Sequence, residues 1–185
     1  MNIIETKLPG VLIVEPKVFG DARGFFLETF HKQRYQEAGI PGEGLEFVQD
    51  NHSRSSKGVL RGLHFQLENP QGKLVSAGTG VVFDVAADVN PDSSTYGQWV
   101  GVELSEENHR QLWIPPGYAH GFCVLSDVAD FQYKCTALYH PASDSGVLWN
   151  DPDLDIQWPI EAPLLSDKDR ALPALAAAAR DRLPR

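Results

Sequence analysis

Between residues 74 and 139 the chain runs in short apolar bursts, each broken within a few residues by glycine, proline or an Asn/Asp/Ser turn. LVSAGTGVVFDVAADV (74–89) is two apolar runs interrupted at Gly78 and Gly80, a hairpin-like pattern. In the second run Val81, Phe83 and Val85 share one face by the two-residue period of a strand. QWVGVELS (98–105), QLWI (111–114) and GFCVL (121–125) are further short strands. Residues 130–139 alternate again, with Phe131, Tyr133 and Cys135 on one side and Gln132, Lys134 and Thr136 on the other. NPDSS (90–94), PPG (115–117), HPASDSG (140–146) and NDPD (150–153) supply the turns. Many short strands with such turns build a β-sandwich or a closed barrel, and a jelly roll solves the edge-strand problem at this size. The expected class is all-β, a jelly roll with short flanking helices.

Helical signal is confined to two places. HKQRYQEA (31–38) ends at Gly39, a C-cap. The Ala-rich stretch 169–182 is the other, and Pro173 restricts where that helix can start. Ser166-Asp167-Lys168-Asp169 has the form of an N-cap with an acidic third residue. The 185 residues suffice for one domain with a sizeable core. There is no internal repeat, and the polar run DNHSRSSKG (50–58) is too short to be a boundary. One domain over 1–170 is expected, with 171–185 a separate Ala-rich tail, a solvent-facing helix or frayed end without a catalytic part.

Charge and hydropathy narrow the function classes. No apolar run reaches the roughly 18 residues of a membrane helix, and MNIIETKLPG lacks the basic stretch and long apolar core of a signal peptide. A cytoplasmic protein without a membrane partner is expected. A net charge of −9 argues against nucleic acid as partner. It leaves room for a small anion, because a few arginines in one cleft override a negative exterior. Cys123 and Cys135 read as reduced packing residues.

Two segments concentrate reactive side chains. In GVLRGLHFQ (58–66), Arg61 and His64 stand three apart, on opposite faces of a regular strand unless the chain bends near Gly62. In WIPPGYAHGF (113–122), Pro115, Gly117 and His120 form a P-x-G-x-x-H turn similar to that of the cupin superfamily. Metal-binding cupins add an H-x-H pair and a glutamate; here the second position of the pair is Gln66, the glutamate is absent, and Lys73 follows. Two histidines without a carboxylate make a poor divalent site, so no metal is expected. The remaining polar set is His64, His120, Lys73, Asp84, Tyr133 and Asp169. A histidine base oriented by a carboxylate, a lysine at an oxyanion and a tyrosine proton donor together suit epimerase or isomerase chemistry. Each has a plainer reading: a hydrogen-bonded core histidine, a strand aromatic, a buried acid, a helix-capping acid.

DARGFFLETF (21–30), FVQDNHSRSSKGVLRGLHFQ (47–66), GKLV (72–75), VVFDVAADV (81–89), RQLWIPPGYAHGF (110–122), the Tyr133 strand and LSDKD (165–169) together closely resemble the dTDP-4-dehydrorhamnose 3,5-epimerase family, from about residue 2 to about residue 170. The resemblance implies a cupin-type jelly roll, a dTDP-4-keto-6-deoxyhexose substrate, no cofactor, and a homodimer whose N-terminal strands reach toward the partner. It maps the catalytic base onto His64, its carboxylate onto Asp169, the proton donor onto Tyr133 and the enolate-steadying lysine onto Lys73. Asp84, His120 and Tyr139 match further pocket positions. Arg23, Glu28, Gln49 and Asn51 match nucleotide-side positions, with Phe26 or Phe25 available to stack on thymine. Arg61 and Lys168 match basic contacts to sugar or diphosphate. Asp144 replaces a common glutamate, Ser76 a common arginine, and the loop between His64 and Lys73 is one residue short. These departures leave room for a single-site epimerase at C3 or C5; a non-catalytic nucleotide-sugar-binding cupin and a metal-dependent cupin are the other rivals.

Overall fold

The computed structural model describes residues 1–184. Two short strands, β1 (Asn2–Glu5) and β2 (Leu12–Glu15), open the chain, followed by the strands β3 (Val18–Asp21) and β4 (Gly24–Leu27) and the helix α1 (Lys32–Glu37). The body is β5 (Gln49–Ser56), β6 (Leu60–Gln66), β7 (Lys73–Thr79), β8 (Val81–Ala87), β9 (Trp99–Ser105), β10 (Gln111–Ile114), β11 (Ala119–Val124) and β12 (Val128–Cys135). A short strand β13 (Asp144–Gly146) and a one-turn helix α2 (Asp167–Arg170) close it. The strands form a six-stranded sheet ordered β1-β2-β10-β7-β12-β5 and a five-stranded sheet ordered β13-β6-β11-β8-β9, with β3-β4 a separate hairpin. All pairings among these strands are antiparallel. The fold is the expected cupin-type jelly roll.

The period of two decides what lies between the sheets. Val75 and Ala77 of β7, Leu112 and Ile114 of β10 and Phe131 of β12 meet Val82 and Ala86 of β8, Val102 and Leu104 of β9 and Phe122 and Val124 of β11. A second cluster forms on Leu63, Phe65, Val85 and Ala87, the opposite face of the five-stranded sheet, covered by Val147, Leu154, Ile156, Leu175 and Leu183. A third packs Tyr35 of α1 and Ile40 onto Val14, Leu74 and Trp113 of the six-stranded sheet. His31 caps α1 by accepting the Arg34 N–H, and Gly39 follows with φ +77. The expected helix is therefore present, one residue shorter at each end.

Two expectations need correction. Residues 74–89 are two strands but not a hairpin. β7 pairs with β10 and β12, whereas β8 pairs with β11 and β9. The chain crosses between sheets at Gly80, where φ is +74 and an added Cβ would lie 2.1 Å from the Val128 carbonyl. Alternation reveals a strand, not its partner. Nor is 169–182 a helix: α2 stops at Arg170, and only short 3-10 turns follow at Leu175–Ala177 and Arg180–Arg182. Leu175 and Leu183 are 2% and 5% exposed. Burying a leucine contributes about 1.5–3 kcal/mol, and that preference for the sheet overrides the helix propensity of alanine.

Candidate active site

The sandwich opens at one end into a cavity of about 460 Å³. Its geometry starts from a bulge. His64 lies opposite His120 and Arg61 opposite Phe122, so β6 spends three steps where β11 spends two. The extra residue reverses the alternation, and Arg61 and His64 both line the cavity. Gly62 makes the bulge possible: its φ is +129, and a Cβ there would sit 2.5 Å from the Gly121 Cα and 2.8 Å from the His120 carbonyl.

Two histidine–aspartate pairs stand side by side. His64 Nε2 is 2.5 Å from Asp169 Oδ1. Burial raises the Asp169 pKa, but hydrogen bonds from His64 and Ser166 outweigh it and hold the carboxyl below its usual range. An ionised carboxylate only accepts, so Nε2 carries the hydrogen and Nδ1 keeps the lone pair that a base needs. Ser166 Oγ donates to Asp169 Oδ2 and accepts the Asp169 N–H. Asp169 is thus both helix-capping acid and partner of His64. His120 Nε2 lies 2.9 and 3.1 Å from the oxygens of the fully buried Asp84. Burial lowers the His120 pKa, which favours the neutral ring.

Across the cavity, β12 and β7 contribute Tyr133 and Lys73. Burial raises the Tyr133 pKa and preserves its O–H. Burial also lowers that of Lys73, and the nearby Asp84 and Asp144 carboxylates offset only part of the effect. At the mouth, Lys168 is ion-paired to Asp144, which also accepts from the Tyr139 hydroxyl at 2.8 Å. Gln49 donates to Asn51 and accepts from the Tyr139 backbone N–H. Arg61, Lys73 and Lys168 outnumber the lining carboxylates Asp144 and Asp169 on a chain of net charge −9, which leaves room for an anionic ligand.

Of the expected residues, His64, Lys73, Tyr133, Asp169, His120, Gln49, Asn51, Arg61, Tyr139, Asp144 and Lys168 line this cavity, and Asp84 lies behind His120. Arg23, Phe26 and Glu28 do not join them. Arg23 is paired with Asp21 in the β3–β4 hairpin, Phe26 is 69% exposed, and Glu28 holds Arg34. Ser53, Gln71 and Phe131 line the wall without having been singled out; alternation with Asn51 and Tyr133 was the available signal for Ser53 and Phe131. Ser55 was missed too, and its Oγ accepts from Arg61 at 3.1 and 3.3 Å. Gln66 donates to the Asn69 and Leu138 carbonyls and accepts from His140 N–H, so both ends of its amide serve the loop. Among the described residues, no three His, Cys, Asp or Glu side chains are grouped to hold a metal ion.

The lowered Lys73 pKa predicts a stability cost. Between that value and lysine's ordinary 10.5 the unfolded chain binds more protons, so stability rises with pH in this window. Lys73→Met is expected to raise Tm at pH 7, with a smaller advantage at pH 10. A variant that melts below the parent at pH 7 contradicts this reading.

Residues 5–177 match the family model described as dTDP-4-dehydrorhamnose 3,5-epimerase. The dTDP-4-dehydrorhamnose 3,5-epimerase of Shigella flexneri is 60% identical over 170 residues, 91% of this chain and 93% of the relative. The crystal structure of dTDP-6-deoxy-D-glucose-3,5-epimerase from Legionella pneumophila, in complex with dTDP-4-keto-L-rhamnose, superposes with a TM-score of 0.95 at 55% identity, covering 100% of this chain and 97% of that one. The dTDP-4-dehydrorhamnose 3-epimerase of Streptomyces niveus is 41% identical over 98% of this chain and 86% of its own length. Sequence and fold agree over nearly the whole length, and the chain belongs to the dTDP-4-dehydrorhamnose 3,5-epimerase family.

Proposed function

We propose that the chain epimerises C3 and C5 of dTDP-4-dehydro-6-deoxy-D-glucose, giving dTDP-4-dehydro-L-rhamnose, by proton abstraction and return without a cofactor. One observation carries the mechanism: His64 stands on the five-stranded sheet and Tyr133 on the six-stranded sheet, facing one cavity from opposite walls. A sugar ring held between the sheets offers one face to a base and the other to an acid. Its C3 and C5 hydrogens both lie α to the C4 ketone. His64 takes a proton, the C–H electrons move onto the C4 oxygen, and the Lys73 ammonium stabilises that oxyanion. Tyr133 returns a proton to C5 from the opposite face, water entering through the open end of the cavity returns one to C3, and exchange with solvent takes the proton from the His64 imidazolium and restores that of Tyr133. Asp169 orients His64 and stabilises the imidazolium. Arg61 and Lys168 suit the diphosphate by charge, Arg61 with two-pronged donation.

The same reading has the chain working in the cytoplasm as a homodimer. Phe19, Phe25 and Phe26 of the hairpin are 53%, 62% and 69% exposed, an apolar surface that a second copy would cover. Arg23, Phe26 and Glu28 would then reach the nucleotide in the partner's cavity. Light scattering at the mass of one chain would remove this part of the proposal.

Proton NMR with dTDP-4-keto-6-deoxyglucose in D₂O tests the activity. Deuterium entering both C3 and C5, with L-configured product, is expected. Deuterium at one carbon reassigns the chain as a single-site epimerase. No exchange while dTDP still binds leaves a binding module.

A further inference from the structure

The carboxylate paired with His64 sits on a helix too short to hold itself. α2 has four residues, and isolated helices below about 12 residues are marginal in water. The position of Asp169 is therefore set by what grips the chain on either side. On the N-terminal side Leu164 is bonded to the start of β6: its N–H donates to Gly58 at 2.7 Å and its carbonyl accepts from Leu60 at 3.0 Å.

On the C-terminal side the grip comes from the tail. Leu172 rests on Gly146, where an added Cβ would lie 3.0 and 3.2 Å from its methyl carbons. Gly146 is the β13 residue in register with His64. Two residues beyond, Leu148 N–H donates to the Pro173 carbonyl at 2.8 Å. Asp151, 1% exposed, then accepts the Leu175 N–H on Oδ2 at 2.6 Å and the Asp153 and Leu154 N–H groups on Oδ1 at 2.9 and 3.1 Å. A buried carboxylate is costly unless hydrogen-bonded, and among the described residues the partners of its oxygens are all backbone N–H groups, one of them in the tail. Base and carboxylate are thereby referenced to the same short segment: β13 lies beside His64, and the turn after it ties down the chain leaving Asp169.

We propose that Asp151 and the tail segment 172–175 are positioning residues for the epimerisation, holding Asp169 against His64. The proposal rests on the His64–Asp169 reading above. Asp151→Asn tests it, because an amide can keep the Oδ1 contacts but turns a donor toward the Leu175 N–H. A misplaced catalytic group costs on the order of 10–100-fold in rate, and kcat of Asp151→Asn is expected to fall by that order. Its dTDP affinity should stay within about threefold of the parent, because Lys168 keeps its own tie to Asp144. In an Asp169→Asn background the same substitution should have almost no further effect, since residues acting through one group are non-additive. Parental kcat in Asp151→Asn, or an equal loss in both backgrounds, would overturn the proposal. Full turnover in Asp169→Asn alone would instead overturn the reading beneath it. Leu175→Ala loosens the same anchor by trimming an apolar contact and carries the same cycle if Asp151→Asn does not fold.

Discussion

Replacing His64 with alanine is expected to lower kcat by about three orders of magnitude, within the range for a general base, and to leave dTDP binding near that of the parent. The split follows from geometry. His64 meets the sugar from β6, while Arg61, Lys168, Gln49 and Asn51 stand at other points of the cavity wall and are not held by the imidazole. His64 is only partly enclosed, with 27% of its side chain exposed, so trimming it opens space rather than emptying the core. Asp169 keeps its Ser166 hydrogen bond, and its carboxylate is not orphaned. Calorimetric titration with dTDP beside a turnover assay measures both halves. Retention of more than a tenth of the parental rate would show that another group is the base, and loss of dTDP binding would show that His64 holds ligand rather than moving a proton.

What the sequence made visible, and what it hid, follows from where each signal is stored. Strands with one apolar face, such as β10 and β12, announce themselves by alternation. β5 does not, because it is an edge strand polar on both sides: Gln49, Asn51 and Ser53 face the cavity while Asp50, His52 and Arg54 face away. The polar run 50–58, too short for a domain boundary, therefore carries no strand signal of its own although most of it forms a ladder with β12. The joint placement of Arg61 and His64 depends on a bulge, and a bulge is a relation between two strands that no single stretch encodes; Gly62 was the local hint. Asp169 was legible as a helix cap from Ser166, yet its contact with His64 closes over 105 residues and came from resemblance alone. The tail misled because alanine scores as helix whatever lies beneath it, and the decisive residues, Leu175 and Leu183, gain their meaning only from the sheet they cover. The hairpin residues Arg23, Phe26 and Glu28 were found by motif, but a single chain leaves them outside the cavity.

Tyr133→Phe is expected to separate the two carbons. Without the hydroxyl, no acid stands at that point of the six-stranded sheet to protonate C5, and its rate should fall by about 10²–10⁴-fold. Inversion at C3, where His64 and Lys73 form the enolate and solvent supplies the returning proton, should persist, so the product pool shifts toward the C3 epimer. The substitution is structurally mild: the ring lies 5.9 Å from that of Phe131, and phenylalanine keeps this packing. Among the described residues the Tyr133 hydroxyl makes no hydrogen bond to protein, so removing it leaves no buried partner unsatisfied. The pH profile adds an independent check. Burial lowers the Lys73 pKa from 10.5, so the ammonium is lost at a lower pH than in an ordinary lysine. The alkaline fall in the parent's C3 and C5 exchange should then coincide, because both depend on the same oxyanion partner. Deuterium NMR of the variant reads both carbons at once. C5 exchange at the parental rate would mean that the proton comes from elsewhere, and equal losses at both carbons would mean that Tyr133 positions the sugar instead of protonating it.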